Sequence, residues 1–328
     1  MLYSSVAACV GRTPLVALGR QFPPPGPTVV AKLELMNPSG SMKDRSAAYI
    51  IERGLADGTI SPTSHLIESS SGNFGIALAT AARVYDLEFT CVVDPKTTPA
   101  NLRILHSLGA RVELVTEPDE HGCYLAARLR RVVELCRDDP GSVWVNQYAN
   151  ERNWQAHYHS TAVEILADLD RPLDCLVVPV STTGTILGLA RRLRGAFPGL
   201  HVVAVDATGS VIFGGPAGPR HVPGLGAGRR PELLAPAEID EVVYISDREA
   251  VAGCRALANS EGILAGGSSG AAVAAIEQLR PRLPDDWQVL TVLPDRGDRY
   301  LDQIYDDEWA KAVGYAAREA KIGAWLPG

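Results

Sequence analysis

Runs of β-branched residues alternate with helix-period segments along most of the chain, and this restricts the fold more than any single motif. The stretches Val29 to Leu35, His65 to Glu68, Phe89 to Val93, Arg111 to Val115, Cys175 to Val180, Val202 to Val205 and Val289 to Leu293 read as strands. Helical patterns lie between them, among them Lys43 to about Ala56 and the segment around Ile76 to Ala79. Parallel strands need such crossovers, so the pattern predicts an α/β chain with mostly parallel sheets flanked by helices. With 328 residues, 46% of them hydrophobic and 21% charged, the chain can bury about two cores and is too apolar for a disordered segment.

Charge and hydropathy exclude several classes of function. Lys and Arg total 31 against 38 Asp and Glu, a net charge of −7 with no basic block, so nucleic acid is not an expected partner. No apolar run reaches the ~18 residues that cross a bilayer, and the N-terminus does not read as a leader, which predicts a cytoplasmic protein without membrane contact. Six cysteines, Cys9, Cys91, Cys123, Cys136, Cys175 and Cys254, are scattered without CxxC pairing and read as reduced thiols rather than disulfides or metal ligands. The run Phe22 to Pro27 reads as a rigid surface turn.

Three loops between a strand and a helix are chemically unusual, and in open parallel sheets ligands sit at the carboxyl ends of strands. Ser41-Met42-Lys43-Asp44-Arg45 puts a lysine at a helix N-terminus, where the macrodipole favours the free, nucleophilic amine, although a surface lysine in a first turn has the same spelling. Ser69-Ser70-Ser71-Gly72-Asn73 stacks hydroxyls and a carboxamide before a helix, which suits a carboxylate; plain N-capping needs only one such serine. Ser181-Thr182-Thr183-Gly184-Thr185 follows an apolar strand and opens a helix, a phosphate cradle without the lysine of a nucleotide-triphosphate loop. Gly224-Leu225-Gly226-Ala227-Gly228 lacks both a preceding strand and a third fingerprint glycine, and is not read as a dinucleotide site.

A helix-start lysine, a carboxylate loop and a phosphate loop together describe a pyridoxal phosphate enzyme acting on an amino acid. NPSGSMKDR around Lys43, SSSGN ending at Asn73, STTGT at 181–185 and GGSSGA at 266–271 resemble the fold-type II family of cysteine synthases, in order and over nearly the whole chain. The resemblance implies two open twisted sheets with the cofactor between a smaller domain, 39–150, and a larger one made of 1–38 and 151–328. It implies that Lys43 carries pyridoxal 5′-phosphate as a Schiff base, that Asn73 contacts its 3′-oxygen, and that Ser181, Thr182, Thr183, Gly184 and Thr185 hold its phosphate. Ser268 then faces the pyridine nitrogen; a serine stabilises a pyridinium less than an aspartate, which favours elimination over transamination. Ser70, Ser71, Gly72 and Gln147 then hold the substrate carboxylate beside Asn73, and a homodimer is expected.

Departures from the sulfhydrylase pattern narrow the activity. Ser181 stands where those enzymes usually have Gly, Asp295 where they tend to show Ser, and the run Tyr148 to Trp154 differs. With VDATGSVIFG at 205–214 and LPDRGDRYLD at 293–302, the chain resembles the N-(2-amino-2-carboxyethyl)-L-glutamate synthases of 2,3-diaminopropionate formation in siderophore and peptide-antibiotic pathways. That resemblance implies joining O-phospho-L-serine to L-glutamate: Lys43 removes the α-proton, the β-phosphate leaves, and the glutamate amine attacks the β-carbon. A dicarboxylate nucleophile needs extra donors, and Tyr148, Arg152 and Arg220 are the sequence candidates. The alternatives are a cysteine synthase, which the same motifs serve, and a catalytically silent cofactor-binding partner protein, which intact Lys43, Asn73 and Ser268 oppose. His157 and His159, two apart on a helix, point to different faces and read as structural rather than as metal ligands. Asp295 and Asp298 read as a charged loop paired locally with Arg296 and Arg299.

Overall fold

The alternation resolves into two sheets in the computed structural model, which describes residues 2–120 and 122–315. Its strands are β1 (Leu15–Ala17), β2 (Thr28–Lys32), β3 (His65–Ser69), β4 (Glu88–Val93), β5 (Arg111–Leu114), β6 (Ser142–Trp144), β7 (Cys175–Pro179), β8 (His201–Ala207), β9 (Glu241–Ile245) and β10 (Gln288–Val292). One sheet has the order β1-β2-β10-β7-β8-β9 and the other β5-β4-β3-β6. Every pairing is parallel except that of β1 with β2. The helices are α1 (Lys43–Asp57), α2 (Asn73–Val84), α3 (Pro99–Ser107), α4 (Tyr124–Asp138), α5 (Arg152–Ala156), α6 (Ala162–Asp168), α7 (Gly184–Ala196), α8 (Asp247–Glu261), α9 (Gly267–Leu279) and α10 (Asp307–Ala312).

Burial follows the strand spelling. Each residue of β7 and β10 is buried, the polar Gln288 and Thr291 of β10 included, as central parallel strands covered on both faces must be. The smaller sheet packs Leu66 and Phe89 against Ile50 and Ile51 of α1 and Ile76 and Leu78 of α2. Helix ends carry ordinary stop signals: Gly58, at φ 78°, closes α1, and Ser246 with Glu249 forms a capping box on α8.

Two local expectations change. The strand read from Val29 to Leu35 stops at Lys32, and a single helical turn, Glu34–Met36, follows. The turn from Phe22 to Pro27 is not wholly surface, since Phe22 is buried in the larger core and Arg280 Nη2 donates to the carbonyl of Pro25 at 2.7 Å. All six cysteines are free thiols; Cys91, Cys175 and Cys254 are buried and the others half-buried. Among the described residues no helix is long and apolar enough to cross a membrane.

The topology positions the site. Because β10 lies between β2 and β7, the loops leaving the carboxyl ends of β7 and β10 are neighbours. The loop before α1 joins them, with Met42 N donating to the carbonyl of Pro294 at 2.8 Å.

Candidate active site

Lys43 opens α1 and lines a narrow cleft with Met42, Pro179, Ser181, Thr182, Thr183, Thr185, Ser268 and Pro294. Asp44 fixes the turn before it by accepting from Ser39 N at 2.7 Å. The Lys43 amine makes no hydrogen bond or ion pair with a described residue. Burial pushes its pKa down to about 8, and only the negative charge of Asp295 pulls it back. Near neutral pH more of this amine is free than of an ordinary lysine, which is what a Schiff-base nucleophile needs.

The carboxylate loop leaves β3 and meets α2 at Asn73. Ser70 Oγ accepts from Gly75 N at 2.9 Å and from Gly72 N at 3.4 Å, so this serine does the capping. The backbone N–H groups of Ser71 and Asn73 find no acceptor among the described residues, which leaves the start of α2 able to hold an anion. Gln147, buried after β6, closes the loop from the other side, its Nε2 donating to Ser69 O at 3.2 Å. Behind both lies Glu68, fully buried, which accepts from Ser69 N at 2.9 Å and from Gln147 N at 3.3 Å. Burial raises its carboxyl pKa to about 7 against the pull of those N–H donors.

Ser181 to Thr185 lead from β7 into α7. Thr183 takes up φ 65° before Gly184, and its buried Oγ1 has no partner. A Cβ at Gly184 would lie 2.7 Å from the Asn153 side chain, so glycine is required for this approach. Asn153 links the site's loops: its Nδ2 donates to Gln147 O at 2.8 Å and to Thr182 Oγ1 at 3.1 Å, and its Oδ1 accepts from Ser46 Oγ of α1 at 2.7 Å. Nothing in its spelling announced that role. Ser181 Oγ donates to Gly226 O at 3.0 Å, so its hydroxyl proton is already engaged. Ser268 is buried in the first turn of α9.

The histidines are structural. His157 Nε2 meets Thr185 Oγ1 at 3.2 Å and Ser46 Oγ at 3.5 Å, its Nδ1 meets Thr161 at 3.0 Å, and burial drives its pKa down to about 3, so it is neutral. His159 stacks on Tyr49.

The second-substrate candidates separate. Tyr148 is buried beside the carboxylate loop with Arg229 over its ring, and its phenol bonds to no described residue. Burial raises the phenol's pKa while the charges of Arg128, Arg229 and Arg220 oppose the rise. Arg220 turns back onto its own loop, Nη1 donating to Leu225 O at 3.3 Å, within electrostatic reach of Tyr148. Arg152 is corrected: it pairs with Asp57 at 2.5 Å and bonds Thr59, away from the cleft, because its helix start faces the end of α1. Arg128, which the sequence reading missed, is buried with Nε 3.1 Å from Asp94 and Nη1 without an acceptor.

The local pairing read for Asp295 is also overturned. Its Oδ2 accepts from Asn73 Nδ2 at 2.7 Å and from the Tyr300 hydroxyl at 2.5 Å. Arg296 instead reaches Leu35 O, and Arg299 donates to Asn73 Oδ1 and Ser39 O. Neighbours in sequence point to opposite sides where Ser41 and Asp295 bridge, so Asp295 turns toward Asn73 and Tyr300 and away from Arg296.

With lysine, carboxylate loop and phosphate cradle brought together, the comparisons with known proteins are decisive. The family model "Pyridoxal-phosphate dependent enzyme" matches residues 6–295. The chain belongs to this family. Among curated relatives, N-(2-amino-2-carboxyethyl)-L-glutamate synthase from Ralstonia nicotianae is 53% identical over 327 residues, covering 100% of this chain and 97% of that protein. The synthase of the same description from Cupriavidus metallidurans is 53% identical, covering 98% and 94%. Among solved structures, the O-acetylserine-dependent cystathionine β-synthase from Helicobacter pylori has TM-score 0.87 and 35% identity, covering 93% of this chain and 100% of that one. O-ureido-L-serine synthase has TM-score 0.86 and 32% identity, covering 95% and 100%.

A pyridoxal-phosphate-dependent enzyme requires an anion cradle and a polar ring pocket, and this cleft offers both. The unpartnered Thr183 hydroxyl, the glycine start of α7 and the remaining hydroxyls of the loop suit the phosphate. Lys43 and Ser268 line the rest, with Asn73 held nearby by Asp295, in an α/β fold-type II arrangement.

Proposed function

We propose that this enzyme performs a β-replacement, joining O-phospho-L-serine to L-glutamate with release of phosphate. Full-length identity of 53% to two synthases described by that product carries the reading. The site supports it residue by residue. Pyridoxal phosphate, when bound, withdraws electrons from the substrate α-carbon and so eases loss of the α-proton and the β-substituent. Lys43 holds the cofactor and, once released, moves the α-proton; the start of α2 with Gln147 orients the substrate carboxylate; Ser181 to Thr185 anchor the cofactor phosphate. Arg128 and Tyr148 are buried donors for the anionic groups of the two substrates. In this reading residues 39–150 act as the smaller domain, and the enzyme is a cytoplasmic homodimer serving 2,3-diaminopropionate formation, which rests on the family resemblance.

The test is to incubate the protein with O-phosphoserine and each amino acid in turn and read product mass; glutamate should give the adduct. Rapid consumption of the first-half product by sulfide, with glutamate far slower, would instead make it a cysteine synthase. Phosphoserine should exceed acetylserine in kcat/KM, and the reverse order would count against the phosphate-leaving reading. Tyr148→Phe should lower kcat/KM for glutamate by roughly tenfold to a hundredfold, the worth of a hydrogen bond to a charged group, while phosphate release stays near that of the parent. Equal slowing of both half-reactions would assign Tyr148 to the first substrate or to the fold.

A further inference from the structure

Asp295 follows β10 and Pro294, is 4% exposed, and is held by backbone on two sides. It bridges to Ser41 in the lysine loop, and its carbonyl accepts from Gly266 N at 3.0 Å at the start of α9. Its side chain has little room, since a Cβ at Gly266 would lie 2.1 Å from Oδ1. Oδ2 serves Asn73 and Tyr300, while Arg299 holds the other end of the Asn73 amide, so the amide is oriented from both ends. Oδ1 is buried and has no partner. Lys43, two residues from the bridging Ser41 and within electrostatic reach of Asp295, has no described partner either.

We infer that Asp295 is a further residue of the cofactor site: one oxygen holds the Asn73 amide, and the other supplies the negative charge that balances the cation on Lys43 and on the lysine–cofactor linkage. A serine could do the first and not the second. The inference rests on the cofactor and not on the identity of the second substrate.

The surrounding charges single this carboxylate out. Burial raises its pKa, opposed by the hydrogen bonds of Tyr300 and Asn73 and by the charges of Arg299 and Lys43. Tyr300, Tyr305 and Cys254, which face it, are all pushed up by burial and stay neutral, Cys254 to about 12. His157, which lies within electrostatic reach of Lys43, is neutral as well. Removing the Asp295 charge must therefore lower the pKa of the amine.

Two measurements test this on the whole protein. In cofactor-free protein, the rate at which Lys43 captures added pyridoxal phosphate should rise with pH with a midpoint near about 8. In Asp295→Asn and Asp295→Ser that midpoint should move down by about one unit or more, as loss of a close counter-charge requires. In loaded protein, absorbance should show the linkage losing its proton at a correspondingly lower pH. Tyr300→Phe keeps the charge and removes one hydrogen bond, so both midpoints should hold. Unmoved midpoints in both Asp295 variants, or an equal shift in Tyr300→Phe, would overturn the inference and leave Asp295 an acceptor for Asn73. Absence of any linkage band in the unmutated protein would instead bring down the cofactor reading itself.

Discussion

Replacing Lys43 by alanine is expected to lower turnover by at least about a thousandfold while leaving the fold in place, because in the proposed mechanism one amine both anchors the cofactor and carries the α-proton. The amine bonds to no described side chain, and burial already disfavours its charge, so its loss removes no native contact that the helix needs. The melting temperature should stay within about 4 °C of the parent, the shift expected for a change of no more than about 1 kcal/mol. Borohydride reduction followed by peptide mass should lock the cofactor onto the Lys43 peptide in the parent and onto none in the variant. A variant that turns over at more than a few percent of the parent rate without added amine would remove Lys43 from its assigned role.

The three loops were legible because their chemistry is local: each opens a helix, two of them directly after a strand and the lysine loop after the turn Glu34–Met36 that follows β2. What escaped is what depends on distant partners. Asp295 has Arg296 and Arg299 beside it in sequence, yet the antiparallel bridge to Ser41 turns alternate side chains to opposite faces, which sequence proximity does not reveal. Arg152 is a candidate donor by its type alone, whereas the start of α5 aims it at Asp57. Asn153 and Arg128 have ordinary spellings and acquire meaning only when α5 and α4 pack. Least legible of all is a set of charges beneath the lysine helix, since Lys32, Glu34 and Arg45 would each be read as exposed from their type alone.

That buried set makes the second large prediction, a loss of stability of about 3–5 kcal/mol for Glu34→Ala. Glu34 is fully buried and accepts from Arg45 Nε at 2.6 Å, Arg45 Nη2 at 2.7 Å, Thr13 Oγ1 at 2.7 Å and Asn37 Nδ2 at 2.9 Å. Arg45 in turn grips Glu164 at 2.6 Å and 2.7 Å, and Lys32 meets Glu164 at 3.0 Å, so cations and carboxylates alternate. Deleting Glu34 strands the inner side of a buried guanidinium, which is the costly way to break such a set. Removing both charges with shape kept, as in Glu34→Leu with Arg45→Met, should cost less than the sum of the two single losses, and denaturant midpoints across the cycle measure the difference. The pH dependence has a definite sign. Burial alone would raise the Glu34 carboxyl, but the charge and hydrogen bonds of Arg45 with the Thr13 hydroxyl bring it below the ordinary range; Glu164 is held at about 2 against the same opposition. A carboxyl lowered in the folded state stabilises fully above its unfolded value, near about 4.5, and loses that contribution as pH falls through the folded one. Stability of the parent should therefore drop between about pH 4.5 and 2, and the drop should be shallower in Glu34→Ala. An additive cycle together with an unchanged acid slope would mean that these charges merely coexist, and that α1, with Lys43 two residues from Arg45, is held by apolar packing alone.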